Sequence, residues 1–331
     1  MFRREVLPPL EIQRKPPRDR GSMKKGDCDT MKKFLALILT LAMALSITAC
    51  GGSDDTADDT ADGEGSGTEE TADYASMTDD ELKAAITTVE GGKLTVATSP
   101  DFAPYEFYSI DESGNAQLAG FDIALSQYIA DYLGLELVVN PMDFNGVLTE
   151  LQTKHADLGM AGLSPDPERE GIMDFSDIYY MGGQSFVCLE SNKDKFPTLE
   201  DTNNPEYSIA AQTGSIQYNL AEEHSPEANI VSLAKVTDIV AELVAGKIDG
   251  AYIETLPAMN YPELCLALEV PYDVAGSSVG VTKGNAALLE GVNRAIAAAI
   301  EDGSMDQFVE EATTLAAGNT GILVDGEIVA G

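Results

Sequence analysis

The stretch Asp122-Ile-Ala-Leu-Ser-Gln-Tyr-Ile-Ala-Asp-Tyr-Leu-Gly-Leu-Glu-Leu-Val-Val-Asn140 holds a helix, its stop and a strand in order. Leu125, Tyr128, Ile129 and Tyr132 recur at i, i+3, i+4 and i+7, which predicts an amphipathic helix over 122–133. Gly134 ends it, and Leu135 to Asn140 reads as the strand that follows. On the amino side, Lys93 to Thr98 is a further strand. Before it, Thr78 caps a short helix with Glu81 three residues on, and Gly91-Gly92 is expected to stop that helix. On the carboxyl side, a helix is expected over Gly146 to Lys154 and a strand over Ala156 to Met160. The rhythm then repeats. Strands are predicted at Tyr207–Ala211, Asn229–Leu233 and Ile248–Ile253. A helix falls at Ser215–Glu223, and another is marked by Val236, Ile239, Val240, Leu243 and Val244. Leu289, Val292, Ile296 and Ile300 share one helix face, and after Gly303 a last helix runs to about Ala316. Strict alternation of this kind predicts an α/β protein with mainly parallel sheets flanked by helices.

The 331 residues suffice for about two domains plus appendages, and 44% hydrophobic residues is enough to build a core. The net charge is −36, unevenly distributed. Residues 1–50 carry ten of the twenty Lys and Arg and five acids, which leaves ten bases against 51 acids in the rest, a net of −41. No basic face is available for a nucleic acid. Only two arginines, Arg169 and Arg294, lie beyond residue 50, and in so acidic a body each requires a reason.

The amino end reads as an address. Met31-Lys-Lys-Phe34 is basic, and Phe34 to Ile47 is apolar apart from Thr40 and Ser46. That run is short for a membrane span and has the length of a signal-peptide core. Residues 1–30 precede the second start at Met31, which suggests that translation begins there. Gly51 to Asp73 holds nine acids and no base, a composition that predicts an extended tether rather than a calcium loop, since the loop glycine and terminal Glu are missing.

Enzyme and metal signatures are weak. There is no G-x-x-x-x-G-K phosphate loop, and His155 and His224 stand apart, so no zinc site and no cofactor are expected. Gly276-Ser-Ser278-Val-Gly280 matches the nucleophile-elbow pattern. However, no His follows residue 224 and Val279–Thr282 reads as strand, so the match is read as a decoy. Cys188 and Cys265 could be two thiols or one bridge.

Several segments stand in a fixed order: Thr98-Ser-Pro-Asp-Phe-Ala-Pro-Tyr-Glu-Phe107, Gly120-Phe-Asp122, Ala161-Gly-Leu-Ser164-Pro-Asp-Pro-Glu-Arg169, Asp174-Phe-Ser-Asp177, Gln212-Thr-Gly-Ser-Ile-Gln217 and Gly246-Lys-Ile-Asp249-Gly-Ala-Tyr-Ile-Glu254. Together, over about residues 92–316, they resemble the amino-acid solute-binding proteins of bacterial ABC importers, family 3. Ile47-Thr-Ala-Cys50, after the apolar run, resembles the bacterial lipobox, in which the Cys is lipidated with chains such as palmitate.

The resemblance implies a two-lobed periplasmic-binding clamshell. Residues 1–49 would be an upstream extension and signal peptide, and 50–76 the lipidated Cys50 and tether. Residues 77–184 and 278–331 would form lobe 1, and 185–277 lobe 2, with hinges near Gln184–Val187 and Gly276–Val279. Arg169, whose planar fork fits a carboxylate, would hold the ligand's α-carboxylate. Ser164 and Gly162 match further contacts. Thr213, Gly214, Ser215 and Ile216 open a helix whose free N–H groups suit an anion. Glu254 would face the ammonium, where the family more often has Asp. Phe102 and Phe144 match the aromatic walls, and Ser99 and Glu106 lie on the first of these loops. Members that take basic amino acids often carry an acid where this chain has Ser99. Arg294 is expected to form a salt bridge away from the site.

The implied function is a lipid-anchored, monomeric receptor on the extracytoplasmic face of the cell membrane, delivering an amino acid to an ABC permease. The alternatives are an enzyme on the same fold, such as a dehydratase of cyclohexadienyl acids, and a sensor input domain. The sequence offers no acid–base pair beyond the clamp residues, so no catalytic residue and no enzymatic activity are expected.

Overall fold

The computed structural model describes residues 73–111, 113–272, 276–317, 320–324 and 327–330. The stretch read as a signal peptide, Cys50 and most of the stretch read as an acidic tether lie outside the described residues. The described residues open with a 3-10 turn, Tyr74–Ser76, and helix α1, Asp79–Ala85. The Thr78 and Glu81 side chains cap α1 reciprocally, as their spacing predicts. The helix stops at Ala85, well before Gly91-Gly92. Ile86 is already extended, and the β-branched run Ile86-Thr-Thr-Val89 loses side-chain freedom in a helix and favours extended backbone.

The first half then runs β1 (Lys93–Thr98), β2 (Asp101–Phe102), β3 (Glu106–Ile110), β4 (Ala116–Ala119), α2 (Phe121–Leu133), β5 (Glu136–Pro141), α3 (Phe144–Gln152), β6 (Leu158–Gly159) and β7 (Met173–Tyr180). The second half runs β8 (Gln184–Leu189), β9 (Ser208–Gln212), α4 (Ile216–His224), β10 (Asn229–Leu233), α5 (Val236–Val244), β11 (Gly250–Glu254), α6 (Thr255–Ala258) and β12 (Leu264–Val270). The chain returns through β13 (Ser277–Thr282), α7 (Ala286–Glu301), α8 (Ser304–Ala316), β14 (Thr320–Val324) and β15 (Glu327–Ala330).

These strands build two five-stranded sheets of the same plan. The first has the order β5-β1-β6-β13-β7 and the second β10-β9-β11-β8-β12. In each, three neighbours pair in parallel, and the fourth strand runs against them. The fifth pairs antiparallel to the fourth and so rejoins the common direction. Four of five strands thus run one way, and the two sheets with their helices are the two lobes. A third sheet, β15-β14-β3-β2 with β4 on β3, flanks the first lobe. The crossings between lobes fall between Tyr180 and Gln184 and between Val270 and Ser277, so Gln184–Val187 is already inside β8 and Ser277–Val279 inside β13. Within the G-x-S-x-G match, Ser278 is fully buried on β13, where it donates to the Leu163 carbonyl.

Arg294 ties the first described residues to α7. It donates to the carbonyls of Tyr74, Ala75 and Met77 and pairs with Asp79 and Glu290. Tyr74–Ser76, expected at the end of the tether, are therefore held against the fold. Arg294→Ala should expose residues 74–85 to limited proteolysis while leaving ligand affinity unchanged. Calorimetry showing lost affinity would contradict this placement.

Candidate functional site

A cleft opens where the loops after β1 and β6 face the loop after β9. Strand carboxyl ends are the usual place for ligands in α/β folds. On the first lobe's side it is lined by Ser99, Asp101, Phe102 and Glu106, by Phe144 at the start of α3, and by Ala161, Gly162, Ser164 and Arg169. Gln212, Ile216 and Gln217 line the second lobe's side.

Arg169 sits on a short 3-10 turn, Pro167–Arg169, capped by the Asp166 side chain. It is 7% exposed, and burial lowers its pKa while Asp166, 3.6 Å away, pulls the other way. One Nη2–H donates to the Gly214 carbonyl of the second lobe at 3.0 Å, and the guanidinium lies 5.7 Å from the centre of the Phe144 ring. Gly162 has φ +56 and its N–H donates to Asp122. A Cβ there would stand 2.7 Å from the Phe102 ring, so the close approach of backbone to ring requires glycine.

The other ionisable groups on the wall are acids, Asp101 and Glu106. Asp101 accepts from the Ser99 hydroxyl at 2.7 Å and from the Val236 N–H at the start of α5 at 2.7 Å. Burial pushes its pKa to about 6, while those two bonds hold it down. Glu106 is fully buried, and in its protonated form it shares a hydrogen bond with the Asp122 carboxylate. Burial, and then the adjacent Asp122, hold its pKa well above the carboxylate range. Asp122 is bonded to the Tyr179 hydroxyl and Gly162 N–H, and burial pushes it to about 6.

Eight of the twelve expected contact residues line this cleft: Ser99, Phe102, Glu106, Phe144, Gly162, Ser164, Arg169 and Ile216. The other four stand off it. Ser215 is the N-cap of α4, and its hydroxyl is engaged with Tyr218 N–H and the Gln212 carbonyl. Thr213 bonds Ser232, and Gly214 contributes its carbonyl to Arg169. Glu254 ends β11 but lies behind Tyr105, whose hydroxyl donates to one of its oxygens; the other has no partner. Burial pushes its pKa to about 8. Asp101, Ala161, Gln212 and Gln217 line the cleft but were missed from sequence. All four stand inside the quoted segments, and that position was the available signal.

These shifts have a consequence for stability. Asp101, Glu106, Asp122 and Glu254 all have raised folded-state pKa values. The folded chain therefore binds more protons than the unfolded one between the ordinary carboxylate range and about pH 8, and stability falls as pH rises through that window. Melting curves without ligand should drop from pH 5 towards pH 8, with a shallower slope in Glu254→Gln. A flat profile would contradict the burial of these acids.

The family model described as "Bacterial extracellular solute-binding proteins, family 3" matches residues 94–313. The "Arginine-binding extracellular protein ArtP" of Bacillus subtilis is 31% identical over 234 residues, 70% of this chain and 76% of that one. The "Cyclohexadienyl dehydratase" of Pseudomonas aeruginosa is 30% identical over 192 residues, 56% of this chain and 70% of that one. Among solved structures, an amino acid ABC transporter substrate-binding protein from Streptococcus pneumoniae bound to L-arginine superposes with a TM-score of 0.64. It has 35% identity and covers 71% of this chain and 97% of that one.

Proposed function

The chain belongs to the bacterial extracellular solute-binding proteins of family 3, and on that premise we propose that it is a receptor for a free cationic amino acid. The amino acid is bound between the lobes and handed to an ABC permease. The observation that carries the ligand class is the charge of the cleft. A zwitterionic amino acid brings one carboxylate and one ammonium. The wall offers one base, Arg169, and two acids, Asp101 and Glu106, with Glu254 behind Tyr105. Arg169 takes the α-carboxylate, worth about 1.5–3 kcal/mol per charge-assisted bond. Burial keeps the Glu106 carboxyl protonated without a cation beside it, and a ligand cation would favour its ionised form. With Asp101 and Glu106 both ionised, the acids exceed what one ammonium uses, and a second cation on the side chain meets the surplus. Ser99 stands where an acid is common in members that take basic amino acids, and Asp101, bonded to Ser99, supplies the carboxylate instead. Phe102 and Phe144 flank the space. The arginine-binding names among the relatives support the same class.

A thermal-shift screen of the twenty amino acids tests this. Saturation at 100 Kd adds about 2.7 kcal/mol, and arginine or lysine should give the largest shift. No response to any amino acid, with turnover of a cyclohexadienyl acid, would favour the dehydratase reading instead.

The lipid anchor rests on Ile47-Thr-Ala-Cys50 behind a signal-peptide core. Expressed in a bacterium, the full chain should fractionate with membranes and Cys50→Ala should not. Equal membrane association of both forms would remove the anchor from the account.

A further inference from the structure

Cys188 and Cys265 lie 77 residues apart in sequence, yet they are direct partners in the antiparallel pairing of β8 with β12. Residues directly opposite in such a pair send their side chains to the same face, with Cα atoms about 4.5–5.5 Å apart. A disulfide needs Cα atoms about 4.4–6.8 Å apart, so the pairing meets its backbone requirement without movement. Both are free thiols here. Cys188 is fully buried beside Phe186 and Phe196, and Cys265 is partly exposed and packs on the same cluster. The location is specific. β12 is the edge strand of the second sheet, and β8 is its only neighbour in that sheet. β8 begins just after the chain enters the second lobe, and β12 ends just before the chain leaves it.

We propose that Cys188 and Cys265 are a built disulfide site, a cross-strand staple that fastens the edge strand β12 to β8 near the strand ends farthest from the interlobe crossings, where Gln184 pairs with Val270. The oxidant is of the disulfide class, a small-molecule disulfide or a thiol–disulfide oxidoreductase. The partly exposed Cys265 reacts first. Its thiolate attacks one sulfur of the oxidant, the oxidant's S–S bond breaks, and one thiol leaves. The Cys188 thiolate then attacks the Cys265 sulfur of the mixed disulfide and expels the second thiol. Two electrons pass from the cysteine pair to the oxidant, and the two cysteine protons end on the two released thiols. Burial pushes the Cys188 thiol up to about 11, with Cys265 beside it adding to the effect, and Cys265 is also raised by burial. Exchange is therefore slow at neutral pH and quickens in alkali, because the thiolate is the nucleophile. This inference is independent of the ligand reading.

The test uses the full chain with Cys28→Ser and Cys50→Ser, so that the pair supplies its only thiols. The folded protein is incubated with oxidised glutathione at about pH 8.5. Both thiols should disappear together, and a protease digest should yield one linked Cys188–Cys265 peptide. With Cys188→Ala added, the reaction should stop at a glutathione adduct on Cys265. The oxidised chain should melt several degrees higher than the reduced one, a difference that reductant abolishes. A lasting glutathione adduct on Cys265 with Cys188 still titratable in denaturant would overturn the proposal. So would a pair that links no faster when folded than when unfolded.

Discussion

Arg169→Ala is expected to weaken amino-acid binding on the order of 10²–10⁴-fold, by loss of two charge-assisted bonds at about 1.4 kcal/mol per decade. Beyond residue 50 the chain has only one other arginine, and Arg294 is fully committed to residues 74–79 and Glu290. Among the described residues, Arg169 is therefore the one guanidinium available to the cleft. Its Nη2 bond to the Gly214 carbonyl also joins the lobes, so the substitution weakens closure as well as recognition. Arg169→Lys should recover only part of the loss, since an ammonium cannot reproduce the planar fork. Titration calorimetry checks both variants. Unchanged affinity in Arg169→Ala would remove this residue from the site.

Gly120→Ala is expected to cost on the order of 3 kcal/mol or more of folding stability. Gly120 has φ +122, a conformation L side chains rarely adopt, and a Cβ there would stand 2.0 Å from the Tyr105 carbonyl oxygen. The obstacle is backbone on both sides, so no rotamer change relieves it. The contact is close because Phe121 and Asp122 donate their N–H groups to the Pro104 and Tyr105 carbonyls, which docks the first turn of α2 on the cleft loop. The alanine variant should show a sharply lowered denaturant midpoint or fail to accumulate as folded protein. A midpoint within error of the parent would mean that this close approach is not maintained in solution.

The repeating frame was readable because periodicity reports burial. β1 and β10 fall where the pattern places them, and α2 differs by one residue at its start. The short strands β2, β3 and β4 were not read, because a loop with two prolines and a glycine carries no period. In the cleft, Arg169, Phe102, Phe144 and Gly162 were legible from motif position. Asp101 and Gln217 stand in the same quoted segments but were not picked out, since sequence does not say which side chains of a loop or first helical turn face the cleft. Glu254 shows a different gap. Strand position put it at the end of β11, but its side chain turns to the Tyr105 hydroxyl, a partner 149 residues away that no local pattern reveals.

The most direct measurement is calorimetric titration of the full chain with L-arginine, with L-citrulline, its neutral isostere, and with L-argininamide, which lacks the carboxylate. Arginine should bind. Citrulline should bind at least about tenfold more weakly, because the surplus acid loses its cation. Argininamide should show the larger loss, because Arg169 loses its anion. Equal affinities for all three would contradict a cleft built to pair one carboxylate and two cations.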